Sequence, residues 1–151
     1  MHRPDDLLGP AISELASFIN DPRNDRHLMA EAGLTFDPIL MPLLIRLGAL
    51  GEAGVVELAG QLGRDHSTIS RQMTKLETAG LLESLASSTD GRARTARLTP
   101  RGRTAFTNLG TARHRLLDHV LADWTPTDRE TLAHLLSRFA GALHAAVRGG
   151  A

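Results

Sequence analysis

Residues 63–99, GRDHSTISRQMTKLETAGLLESLASSTDGRARTARLT, decide how this chain folds. Gly63 stops one short helical run, and Asp65 stands where an N-cap would open the next, from His66 to about Ala79. In that helix Ile69, Met73 and Leu76 recur at helical spacing and mark the buried face, while Ser67, Thr68, Ser70, Arg71 and Gln72 are polar. Gly80 suits the left-handed residue that ends a helix. Two extended stretches follow, Leu81 to Ala86 and Arg94 to Leu98. The cluster Ser87-Ser88-Thr89-Asp90-Gly91 separates them, and Asp-Gly between such runs signals a hairpin.

Just upstream, Val55 to Leu62 reads as a short helix with Val56, Ala59 and Leu62 as its buried positions. Two helices joined by Gly63-Arg64-Asp65 form a helix-turn-helix, and the hairpin behind them makes it a winged helix. A polar amphipathic helix alone is as readily a solvated face as a reading face. The immediate succession of helix, Gly80, strand, Asp-Gly turn and basic strand favours nucleic acid. A helix fits the major groove and a hairpin tip the minor groove. Arg and Gln can pair bidentately with guanine and adenine edges, and Ser or Thr hydroxyls serve bases or phosphates.

Outside this module the pattern is helical. Leu8, Ile12, Leu15 and Ile19 share one face of a first helix that ends near Asn20-Asp21-Pro22, and a short helix follows around Arg26 to Ala32. Asp37-Pro38 reads as a cap with proline in the first turn of a third helix. That helix runs through Met41, Leu44, Ile45 and Leu47 to a break from Gly48 to Gly54. It is apolar nearly all round and should be central. Beyond Thr99-Pro100 an amphipathic helix extends to about Trp124. Thr125-Pro126 with Glu130 then starts a last helix through Leu132, Leu135, Leu136, Phe139 and Leu143. These two helices carry more apolar surface than a winged helix needs for itself, and Trp124 and Phe139, at helical spacing with leucines, read as core more readily than as a ligand cage.

Composition narrows the classes. The 151 residues carry 17 basic and 17 acidic side chains, so basic excess must be local if it exists. Between Val55 and Thr104, eight basic residues face five acidic ones; this segment is +3 and the remainder −3. Cysteine is absent, which removes disulfides and thiolate metal sites. The seven histidines contain no pair four apart, the helical two-histidine clamp, so no metal is expected. No nucleophile elbow, dinucleotide fingerprint or phosphate loop is found, so neither an enzyme nor a cofactor is expected. MHRPDDLLGP lacks the apolar stretch of a secretion signal, and Ile39 to Ile45 is too short to span a bilayer. A soluble, cytoplasmic protein without membrane contact is the expectation.

The residues GRDHSTISRQMTKLETAGLLE, followed by TDGRARTARLTPRGR, closely resemble the MarR family of bacterial winged-helix transcription regulators. The specific core is Ser67 to Leu82, with Asp90-x-Arg92 and Leu98-Thr99-Pro100-x-Gly102, and the order of elements agrees over most of the chain. The resemblance implies a mainly α fold with a small β-hairpin wing. Residues 37–99 would form the winged helix-turn-helix, and residues 5–35 and 100–148 the helices of an interleaved homodimer. It implies a regulator, a repressor, on a palindromic double-stranded DNA operator, with room for a small-molecule effector whose lining no spacing singles out. Ser67, Thr68, Ser70, Arg71, Gln72 and Lys75 would lie on the reading helix. On the wing, Arg92 would enter the minor groove, Asp90 would orient it or tie the wing to Arg71 or Arg64, and Arg94 would stand behind. The first wing strand departs from the pattern: Glu83 and Ser84 stand where a basic residue is common. Either affinity is modest, or phosphate contact relies more heavily on Lys75, Arg94, Arg97, Arg101 and Arg103. The alternative is a winged-helix dimer that binds a small molecule or a protein and no operator.

Overall fold

The computed structural model describes residues 3–86 and 95–149. Along these residues run α1 (Pro4–Ile19), α2 (Pro22–Glu31), a 3-10 turn (Pro38–Leu40), α3 (Met41–Leu50), β1 (Glu52–Gly54), α4 (Val55–Leu62) and α5 (His66–Thr78). β2 (Leu82–Leu85), β3 (Thr95–Leu98), α6 (Pro100–Val120) and α7 (Pro126–Arg148) complete them. The fold class is the one the sequence predicts, mainly helical with a small antiparallel sheet and a winged helix-turn-helix.

Helix starts follow capping chemistry. Asp21 accepts the Arg23 backbone N–H at 2.9 Å and pairs with the Arg23 guanidinium at 2.7 Å, opening α2 four residues earlier than apolar spacing suggests. Asp37 caps the 3-10 turn, so α3 itself begins later, at Met41. Thr125 accepts the Asp128 N–H and opens α7.

By contact, the chain divides within α6 into two units, Met1–Arg113 and His114–Ala151. In the first, Leu43, Leu44 and Leu47 of α3 are fully buried among Leu58, Ile69, Leu76, Leu82 and Leu109. Ala105, Leu109 and Ala112 belong to this core, so the early turns of α6 pack with residues 37–99. Two expectations are corrected here. Gly48 lies inside α3, and the break starts at Gly51, whose φ is 83°. The Phe106 ring occupies the space where a Cβ on Gly48 would stand, so packing outweighs the weak helix propensity of glycine. Val56 is 70% exposed; the buried stripe of α4 is Val55, Leu58, Ala59 and Leu62. Spacings of three, one and three describe a helical stripe better than a strict repeat of three.

The sheet has order β1-β3-β2, all antiparallel, and β1 fell within the stretch read as a break. Ala53 opposes Ala96, and Leu82 opposes Leu98, turning apolar side chains toward the helices. In the second unit, Arg129 joins the two helices by donating to Asp118 at 3.3 Å and to the Leu121 carbonyl at 2.6 Å. From residue 114 to residue 147 no side chain is buried.

Candidate nucleic-acid interface

The reading helix owes its position to a turn three residues long. Gly63 adopts φ 60°, ψ 38°, the left-handed conformation that glycine enters without steric cost, and the Arg64 N–H closes back on the Ala59 carbonyl at 3.0 Å. Asp65 then takes three hydrogen bonds: from the Ser67 hydroxyl at 2.5 Å, the Thr68 hydroxyl at 2.7 Å and the Thr68 N–H at 2.8 Å. These hydrogen bonds, that of Ser67 foremost, hold its carboxyl well below the usual carboxylate range.

Helical spacing separates α5 into two faces. Ile69, Gln72, Met73 and Leu76 are buried, whereas His66, Ser67, Ser70, Arg71, Thr74, Lys75, Glu77 and Thr78 are exposed and Thr68 is half-buried at the edge. Gln72 is the departure from expectation, since it is only 6% exposed and stands with the core residues. Its place was legible: it lies three residues from Ile69 and four before Leu76. Thr74 and Thr78 join the exposed strip unforeseen, three and four residues on from Arg71 and Thr74. Their hydroxyls donate to the carbonyls of Ser70 at 3.1 Å and Thr74 at 2.9 Å.

The far end of α5 is fastened to the start of α6. The Thr99 hydroxyl donates to the Gly80 carbonyl at 2.7 Å and accepts the Gly102 N–H at 3.0 Å, while the Thr99 N–H reaches the Leu81 carbonyl at 3.1 Å. A Cβ on Gly102 would collide with that same carbonyl oxygen. The Leu98-Thr99-Pro100-x-Gly102 pattern is therefore a clamp that fixes the helix end to the wing's return strand. Arg101 adds a bond to the Ala79 carbonyl at 3.3 Å, and Arg103 one to the Leu98 carbonyl at 2.8 Å.

On the wing, Glu83 and Glu52 flank Arg97 in register, and the Arg97 Nε donates to Glu83 at 2.7 Å. Arg97, Arg101 and Arg103 thus have partners within the fold. Asp90, Arg92 and Arg94 lie outside the described residues. A cavity of about 380 Å³ lies among Leu34, Phe36, Leu81, Arg101, Thr104 and Asn108, with Ala79 at the end of α5 in its wall. Among the described residues no group of three or more His, Asp or Glu could hold a metal, and no helix is long and apolar enough to cross a membrane.

A helix-turn-helix whose second helix offers hydroxyls and cations, followed by a paired hairpin, defines a winged-helix regulator of transcription. Comparison with known proteins carries the assignment further. The profile of the MarR family matches residues 41–93. The uncharacterized HTH-type transcriptional regulator YxaD of Bacillus subtilis (strain 168) is 31% identical over 96 residues, 64% of this chain and 67% of that protein. The chain belongs to the MarR family. A probable transcriptional regulator from Pseudomonas aeruginosa is similar in structure, with a TM-score of 0.64 and 28% identity over 91% of this chain and 99% of that one. FabT of Streptococcus pneumoniae, solved in complex with DNA, shares the fold at a TM-score of 0.74 and 15% identity, over 91% of this chain and 97% of its own.

Proposed function

We propose that this chain is a homodimeric, sequence-specific repressor that sets one α5 into each of two major-groove segments of a palindromic operator. One observation carries the reading. On the second helix of a helix-turn-helix, Ser67, Ser70, Arg71, Thr74, Lys75 and Thr78 form an exposed strip of four hydroxyls and two cations, and the one exposed carboxylate of the helix, Glu77, lies at its edge, where it accepts the Ser84 N–H. Such a strip can approach a phosphate-lined groove and still address base edges. Thr68 contributes from the edge, and Asp90, Arg92 and Arg94 from the wing, with Arg92 in the minor groove. Gln72 supports the helix from the core side.

Dimerisation follows from what the chain leaves uncovered. The second unit buries no side chain between residues 114 and 147, while Trp124, Leu135, Leu136, Phe139 and Leu143 are exposed on it. Leu8, Ile12, Leu15 and Ile19 are likewise exposed on α1. A helical hairpin of that size cannot hold its own fold without a further apolar surface. A second copy supplies one, and a two-fold pair of reading helices asks for half-sites ~10 bp apart. A small-molecule effector in the cavity beside Ala79 would act by binding one setting of α5 better than the other. The protein works in the cytoplasm, where its operator is.

Fluorescence anisotropy with palindromic duplexes from upstream of the gene, titrated against salt, tests this. A specific complex of two protomers per duplex that weakens with salt is expected. No complex with any duplex, even at low salt, would replace the reading with a winged-helix dimer for a ligand or a protein.

A further inference from the structure

We infer that Asp65 makes the Ser67 hydroxyl a pure acceptor toward DNA, so that each operator half-site carries an amino-bearing base, adenine or cytosine, under the start of α5. The inference rests on the DNA reading above and deepens it from a set of contacts to a chemical preference.

An ionised carboxylate only accepts, and a serine or threonine hydroxyl has a single proton to donate. At 2.5 Å and 2.7 Å from Asp65, the Ser67 and Thr68 hydroxyls must each be the donor, and both protons are thereby spent. Asp65 does not relinquish them by protonation, since its carboxyl titrates far below neutral pH. The Thr68 oxygen also accepts from the Arg71 guanidinium at 3.4 Å and its residue is half-buried, which leaves Ser67 as the exposed member of the pair with acceptor capacity unused.

What could such an oxygen bond? Phosphate oxygens, guanine N7 and O6 and thymine O4 are acceptors, so they offer it nothing; the major-groove donors are adenine N6 and cytosine N4. The first turn of a reading helix is the part that reaches base edges. The Asp65 carboxylate behind Ser67 adds a second reason to prefer an amino group there and to disfavour a phosphate. Arg71 and Lys75, the cations of the strip, are left to address acceptors.

Selection of binding duplexes from a randomised pool by the full-length protein, compared with Ser67→Ala and Asp65→Gly, tests the inference. In the wild type one position of each half-site should favour adenine or cytosine by about fivefold, the low end for a base contact. Ser67→Ala should flatten that position to within about twofold. Asparagine would keep the oxygen that takes both the Thr68 N–H and the Ser67 hydroxyl, but glycine caps nearly as well and offers no acceptor; Asp65→Gly therefore frees the Ser67 proton and should admit guanine or thymine at the same position. Unchanged far-ultraviolet circular dichroism would show both variants folded. Guanine or thymine in the wild type at the position Ser67→Ala disturbs, or no position disturbed, overturns the inference and leaves the DNA reading standing. A pool in which no duplex is enriched at any salt concentration overturns both.

Discussion

At the scale of single residues, position on α5 separates the exposed side chains proposed to touch a duplex from those that hold the helix. Arg71 and Lys75 stand on the exposed strip, so replacing either with alanine should weaken binding to all duplexes and reduce the slope of log affinity against log salt by about 0.9 for each phosphate no longer neutralised. Gln72 should behave otherwise. Because it packs with Ile69, Met73 and Leu76, Gln72→Ala should lower the unfolding midpoint and leave base preference intact, which thermal melting beside duplex selection would show. Gly102 is constrained by space: a Cβ there would overlap the Leu81 carbonyl. Gly102→Ala should destabilise the fold by about 1–3 kcal/mol, the usual cost of forcing atoms into a packed site, measured by denaturant titration.

Among elements, the wing sheet holds one of its basic side chains in an internal ion pair. Glu83 holds Arg97 in an exposed pair at 2.7 Å, with Glu52 in register on its other side. Glu83→Gln should release that guanidinium, raise duplex affinity at low salt and steepen the salt dependence by about 0.9, the increment for one additional neutralised phosphate. Affinity unchanged at every salt concentration would mean that this sheet face stays away from the phosphates. The helix caps add a pH dependence. Asp21 is lowered to about 2, chiefly by its hydrogen bond to the Arg23 side chain, and Asp65 lies lower still. Both folded values fall below the unfolded one of about 3.9, so the caps' contribution is complete above that pH and lost as pH drops through it toward 2. Thermal midpoints followed from pH 6 to pH 2.5 should therefore decline, and the decline should be shallower in Asp65→Asn. The sequence made the Asp65 cap visible because Asp-His-Ser-Thr is a local signal, whereas Asp21-Pro22 marks in the sequence only the end of the first helix. It did not reveal β1, whose three residues become a strand only by pairing with β3.

For the whole molecule, the decisive quantity is apolar surface left outside. Phe139 is 40% exposed and Val147 79%, on a helix that contributes no buried side chain from its own unit. Leu136→Lys combined with Phe139→Lys should convert the dimer to monomer in sedimentation equilibrium. Operator affinity should fall by about 10²-fold or more, the decrease expected when two linked binding events become one. Retention of the dimer by this double variant would move the interface away from α7.

What the sequence determined by itself was local: the caps, the glycine stops, the period of the apolar residues and the Asp-Gly turn signal. Together these dictated helix-turn-helix and hairpin and nominated a reading face from Ser67 to Lys75. Tertiary structure decided which polar residues that face keeps. Gln72 went to the core and Arg97 to Glu83, Gly48 stayed helical beneath Phe106, and the Ser67 proton was committed to Asp65. The physical reason is that periodicity records how a residue is turned on its own element, whereas burial and hydrogen-bond polarity depend on what another part of the chain brings to it.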